Sequence, residues 1–162
     1  MTERAENIID RLANLLPGYQ SFKDKEARRD TDARVRERVA TVLDDNKVKL
    51  DEMIRAMTDE GRLDVISGLD RLKRQVGSCA DGIRHVAHGD SGLMDDRVIG
   101  ELELDRIHDH DLGLLEQAQQ LTTAFADLDA AGTPDALPEL TKTVESMRQA
   151  IDRREQLLQE VF

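Results

Sequence analysis

The chain has 162 residues, 35% charged, 39% hydrophobic and 2% aromatic, and 23 Lys+Arg against 34 Asp+Glu leave a formal net charge of −11. Such a length fits a single domain, 1–162. An acidic field of this size repels phosphate backbones and anionic lipid, which argues against nucleic-acid partners and makes a membrane surface an unfavourable one.

Helical periodicity runs through the whole sequence, with no sustained strand alternation. A short first helix places Ile8, Ile9, Leu12, Leu15 and Leu16 on one face, and Pro17-Gly18 ends it, so 1–18 is a short helix and turn. Ser21 is the expected cap of a long second helix reaching Met57, with the seam Val35, Val39, Val42, Asn46, Leu50, Met53 and Met57. Asp59-Glu60-Gly61 reads as a turn. The third helix starts near Arg62, and its seam is Val65/Ile66, Leu69, Leu72, Val76, Cys79/Ala80, Ile83 and Val86/Ala87. Gly68, Gly77 and Gly82 lie inside it. Because the apolar period continues across them, close approach of a neighbouring backbone is expected rather than a break.

His88 to Asp95 reads as a loop. The fourth helix is expected from about Asp96 to Leu128, with the seam Leu104, Ile107, Asp111, Leu114, Ala118, Leu121, Phe125 and Leu128. Thr133-Pro134 suits the start of a fifth helix, with Leu137, Leu140, Val144, Met147, Ile151, Leu158 and Val161 on one stripe. Short connections between long helices predict an all-α fold, an elongated antiparallel up-down helical bundle of four main helices plus a short N-terminal helix.

Leu16-Pro17-Gly18-Tyr19, Phe22-Lys23-Asp24-Lys25-Glu26 with Arg28-Arg29, Asp81-Gly82-Ile83-Arg84 with Gly89, Gly92-Leu93 and Asp95, and Leu104-Asp105-Arg106-Ile107 with Asp111-Leu112 together resemble a set of uncharacterised bacterial all-helical proteins. The resemblance covers about a quarter of the chain, and it implies a helical fold with no assigned activity. Its pattern has aromatic residues where this chain has His85, His88, His108 and His110. Histidine would there stand in for a stacking ring.

All four histidines fall between positions 85 and 110. Asp81, His85 and His88 share one helix face at i, i+4 and i+7, and Glu101, Asp105 and His108 repeat that spacing on the next helix. A hairpin through the Gly89–Asp95 loop would bring both triplets to one end of the bundle. Two imidazoles with carboxylates suit a divalent transition metal such as Zn²⁺, Mn²⁺ or Fe²⁺. The paired Glu and Glu-x-x-His sets of di-iron bundles are absent.

Nucleophile chemistry finds less support. Cys79 falls on the apolar seam, as a small buried hydrophobe does. Ser91 follows a helix, where a nucleophile elbow needs a strand. Gly89-Asp90-Ser91-Gly92 lacks both the glycine spacing and the lysine of a phosphate loop. The charges from Lys23 to Arg38 alternate in sign and read as a solvated face with i, i+4 pairs. In the first helix Glu3, Glu6 and Asp10 offset Arg4 and Arg11, so the basic face of a membrane-surface helix is lacking.

Asp111 interrupts an apolar seam, and a buried carboxylate demands a partner. Arg84, beside Ile83 on the preceding helix, is the expected one, as a structural pair of Arg84 with Asp111. These readings favour a non-enzymatic bundle acting through contacts with a protein partner or as a homo-oligomer. The metal-binding bundle is the alternative and a peripheral membrane module the weaker one. With no signal-peptide core at the N-terminus and no apolar run of membrane-spanning length, a cytoplasmic location is expected.

Overall fold

A computed structural model of the chain describes residues 3–19, 25–85, 100–131 and 134–161. It is an all-α bundle in which α2 (Lys25–Asp59), α3 (Leu63–His85), α4 (Glu101–Ala131) and α5 (Leu137–Val161) form the body and α1 (Glu3–Leu15) lies outside it. The 35 residues of α2 make a rod of about 52 Å at ~1.5 Å per residue, so the bundle is long for its width.

The helix ends follow local chemistry. Leu16 to Tyr19 forms a hydrogen-bonded turn, Tyr19 N–H donating to the Leu16 carbonyl at 3.0 Å, with Pro17 and then Gly18 at φ 82° in the middle. Pro followed by a left-handed glycine is what a type II turn requires. Gly61, at φ 73°, closes α2: its N–H reaches the Thr58 carbonyl and that of Arg62 reaches Met57, a Schellman arrangement. At the start of α4 the Glu103 carboxylate turns back to accept from the Gly100 N–H at 2.8 Å, as in a capping box. Pro134 opens a 3-10 turn, Pro134–Ala136, rather than α5 itself, and Pro138 sits in the first turn of α5.

Where the residues are described, the expected seams form the core, with Met57 partly buried at its edge; Val86, Ala87 and the side chain of Leu128 lie outside the described residues. Val35, Val39, Leu50, Leu72, Val76, Ile83, Leu114, Leu121, Phe125 and Met147 are all buried. Asn46 is buried on the α2 seam and donates to the Thr122 hydroxyl of α4 at 3.2 Å. The helix α3 is continuous through its glycines. At Gly68 and Gly77 the close neighbours are the Leu137 and Lys47 side chains rather than backbone, and Gly82 faces open space. No helix of the described residues is long and apolar enough to cross a membrane.

The helix order around the bundle departs from a simple meander. α2 packs on α3 and α4, and α5 packs on the same two, so α3 and α4 face each other across the diagonal. α2 and α3 are antiparallel, with Asp51 meeting Lys73 and Asp44 meeting Arg84. So are α4 and α5, where Arg106 meets Glu160 and Asp111 meets Arg154. The expected α3–α4 hairpin is therefore not a packed pair. Its two helices are separated by the contact of α2 and α5 with both.

Candidate functional site

Ionisable side chains converge inside the bundle at the end where α2 and α4 begin and α3 and α5 finish. Arg154 of α5 is 4% exposed and Asp111 of α4 is 0% exposed. Arg154 Nε donates to Asp111 Oδ1 at 2.8 Å, and its Nη1 donates to Asp32 Oδ1 of α2 at 2.6 Å. The other oxygen of Asp32 accepts from Arg36 Nε at 2.9 Å. Arg36 Nη1 in turn donates to the Arg84 carbonyl in the last turn of α3 at 3.3 Å, where a cation offsets the negative end of the helix. Tyr19 completes the cluster: its hydroxyl donates to Asp111 Oδ2 at 3.3 Å, and its ring meets His108 edge-on with centroids 5.8 Å apart.

Two carboxylates and two guanidiniums make this cluster neutral as a whole. Burial pushes the Asp32 carboxyl up, but Arg154 and Arg36 outweigh it and hold it below the usual carboxylate range. Burial likewise works against the Arg154 charge, and Asp111 and Asp32 more than restore it. The Tyr19 hydroxyl is driven far up by burial and by the Asp111 charge, so it remains a donor. One atom stays unsatisfied: Arg154 Nη2 is buried with no hydrogen-bond partner among the described residues. The arrangement ties four helices and the α1 turn to one register, with each charge engaged by its neighbours.

Asp111 is thus buried and paired, as its seam position demands, but with Arg154 and not Arg84. The Arg84 side chain points outward, where it meets Asp44 at 2.6 Å and Glu37 at 3.9 Å. The diagonal placement of α3 explains the difference: α5, not α3, flanks α4. Asp32 and Arg36 correct the reading of residues 23–38 as a wholly solvated face, since both are only 8% exposed. Asp30 and Arg34 on the same helix do form the expected exposed i, i+4 pair.

The six residues of the expected metal set do not come together in what the structure describes. His88 and the side chain of Glu101 lie outside the described residues. Asp81 and His85 are exposed on α3, where His85 Nδ1 stands 2.9 Å from the Asp81 carbonyl. Asp105 and His108 are on the diagonal helix, with His108 turned inward against Tyr19. Among the described residues no group of three or more His, Cys, Asp or Glu could hold a metal ion. His108 meets Tyr19 edge to face rather than in a parallel stack. Cys79 is buried, and burial pushes its thiol up to about 11, away from reactivity.

A surface groove of about 550 Å³ runs between α4 and α5, lined by His110, Gly113, Leu114 and Gln117 of α4 and by Ser146, Gln149, Ala150, Asp152, Arg153 and Gln156 of α5. Gln117 Oε1 and His110 Nδ1 lie beneath its surface, shielded from solvent, with no hydrogen-bond partner among the described residues. Burial lowers the His110 pKa, which favours the neutral ring and leaves it one nitrogen that accepts. No family model, curated protein or solved structure matches this chain.

Proposed function

We propose that this chain is a non-enzymatic helical-bundle protein of the cytoplasm that acts by protein–protein contact, with the α4–α5 groove as a docking surface. The observation that carries this reading is the open α4–α5 groove of about 550 Å³, whose lining combines Gln117, Gln149 and Gln156 with Ser146, Asp152 and Arg153. The flanking glutamine amides offer both donors and acceptors around it. The buried Arg–Asp cluster supports the reading in another way, because its charges hold the helices in register and so keep the groove rigid.

A photo-crosslinking amino acid placed at Gln149 tests the proposal in the cell of origin. A discrete protein adduct is expected, and Ser146→Trp, which fills the groove, should abolish it. Adducts unchanged by Ser146→Trp, or equally abundant from a probe at exposed Val48, would refute the groove as the docking surface.

A further inference from the structure

Two acceptors on one face of α4 stand apart with a glycine between them. His110, Gly113 and Gln117 occupy i, i+3 and i+7, and all three line the α4–α5 groove. His110 Nδ1 and Gln117 Oε1 are shielded from solvent and have no hydrogen-bond partner among the described residues. A Cβ added at Gly113 would meet nothing within 4 Å, so the space over this glycine is open. Seven residues of helix separate the α-carbons of His110 and Gln117 by about 10.5 Å. Long helical side chains lean toward the N-terminus, which carries the Gln117 amide back over Gly113 toward the ring.

We propose that His110 is a proton-operated latch in the wall of the groove: when the ring takes up a proton from water, Nδ1–H donates to Gln117 Oε1 over Gly113, and the groove narrows. This deepens the reading of the groove as a docking surface and rests on it, because a latch that withdraws the Gln117 amide releases the partner in acid. The neutral ring needs no such bond. It can carry its one N–H on Nε2 and leave Nδ1 bare, and two acceptors do not attract. The imidazolium carries N–H on both nitrogens, and a charged donor left unpaired out of water is costly. Asp111, next in the chain, is already engaged by Arg154 and Tyr19.

The charges around the ring decide where the latch closes. On α4 itself Asp111 favours the proton, Asp109 is exposed beside it, and Arg106 pairs with Glu160 of α5. From α5, Arg154 and Arg153 oppose the proton, as burial does, and Asp152 joins them in the groove lining. From α2, Asp32 reaches this region through Arg154. The Arg11–Glu116 pair and the His108–Tyr19 contact belong to the other flank of α4, where α1 packs, and α3 lies across the diagonal. The opposing groups prevail, so the latch closes below 6.5.

The test follows His110 by ¹⁵N and ¹H NMR in the full chain as pH is lowered from above 6.5. Above the midpoint the ring should carry its N–H on Nε2. Below it an Nδ1–H signal should appear, protected from exchange with water and close in space to the Gln117 side chain. Gln117→Met removes the acceptor and should lower the midpoint by about half a pH unit or more, the weight of one hydrogen bond. Gln149→Met, the same change on the α5 wall, should leave the midpoint in place. A polarity-sensitive dye on Ser146→Cys should report the narrowing with the midpoint of the ring; the native Cys79 is buried and does not compete for the label. An Nδ1–H present already at neutral pH, an unshifted or raised midpoint in Gln117→Met, an equal shift in Gln149→Met, or a dye response unrelated to the ring would each overturn the proposal. If Gln117→Met does not fold, the absence of a protected Nδ1–H in the unmodified chain still overturns it. Failure of the Gln149 probe to give a protein adduct would refute the docking reading and leave the titration outcomes unaffected.

Discussion

Arg154 is the residue on which the interior charges depend, and its contacts predict a non-additive response. Removing one partner of a buried pair leaves an uncompensated charge, so Arg154→Met or Asp111→Leu alone should each cost about 3–5 kcal/mol. The Arg154→Met, Asp111→Leu double variant should cost far less than their sum, because Asp32 still has Arg36. Arg84→Met breaks only the outward pairs with Asp44 and Glu37 and should cost less than ~1 kcal/mol. Urea melts of the four variants decide the matter; additive losses would show that the cluster does not act as a unit. The signal for Arg154 was present in the sequence. The α5 stripe steps from Ile151 to Leu158, and a seam with intervals of three to four needs a residue between them. Position 154 fills that gap with a cation, as position 111 fills one in α4 with an anion. What periodicity could not supply was which two helices adjoin, and that decided between Arg84 and Arg154.

At the scale of elements, helix existence and facing were legible, whereas helix neighbours were not. A three-to-four repeat states which side of a helix is buried but not against what. The glycines show the same division. Gly18 combines a left-handed backbone with close contact, since a Cβ there would come within 2.7 Å of Arg34 Nη1. Gly82 lies in a helix interior with nothing within 4 Å of the added carbon. Gly18→Ala should therefore lower stability by about 1 kcal/mol or more, and Gly82→Ala should raise it by up to ~1 kcal/mol through helix propensity. Thermal melts of the two variants should move in opposite directions. Shifts of the same sign would show that propensity alone, or contact alone, governs both sites.

For the molecule as a whole, the buried titratable groups predict how stability changes as acid is added. His110 has its pKa lowered from 6.5 by burial and by Arg154 and Arg153, with Asp111 opposing. Its contribution is complete above 6.5. The unfolded chain then takes up a proton that the folded chain resists, and stability declines as pH falls from there toward the lowered value. Asp32 is held below 3.8, so its contribution is complete above that pH and is lost as pH falls through its lowered value. Urea midpoints measured across pH should fall in two stages, and His110→Gln should remove the upper one. A profile flat from pH 7 to 4 would contradict the burial of His110. The candidate groove that contains His110 was not legible in the sequence, because Gln117, Gln149 and Gln156 read only as helix surface until α4 and α5 are set side by side.

The diagonal placement of α3 and α4 makes the bundle two antiparallel hairpins, α2–α3 and α4–α5, laid face to face. The first hairpin brings Asp32 and Arg36 to their junction, already bonded within one helix. The second brings Asp111 and Arg154, bonded between its two helices. Each hairpin thus contributes one carboxylate and one guanidinium, a neutral pair, to the surface it buries. The interior thus buries two ion pairs instead of four separate ions, which lessens the dehydration cost of its charges. The ion pair between the two hairpins is Arg154 to Asp32, a bond that requires their correct axial alignment, as does the Asn46 to Thr122 hydrogen bond.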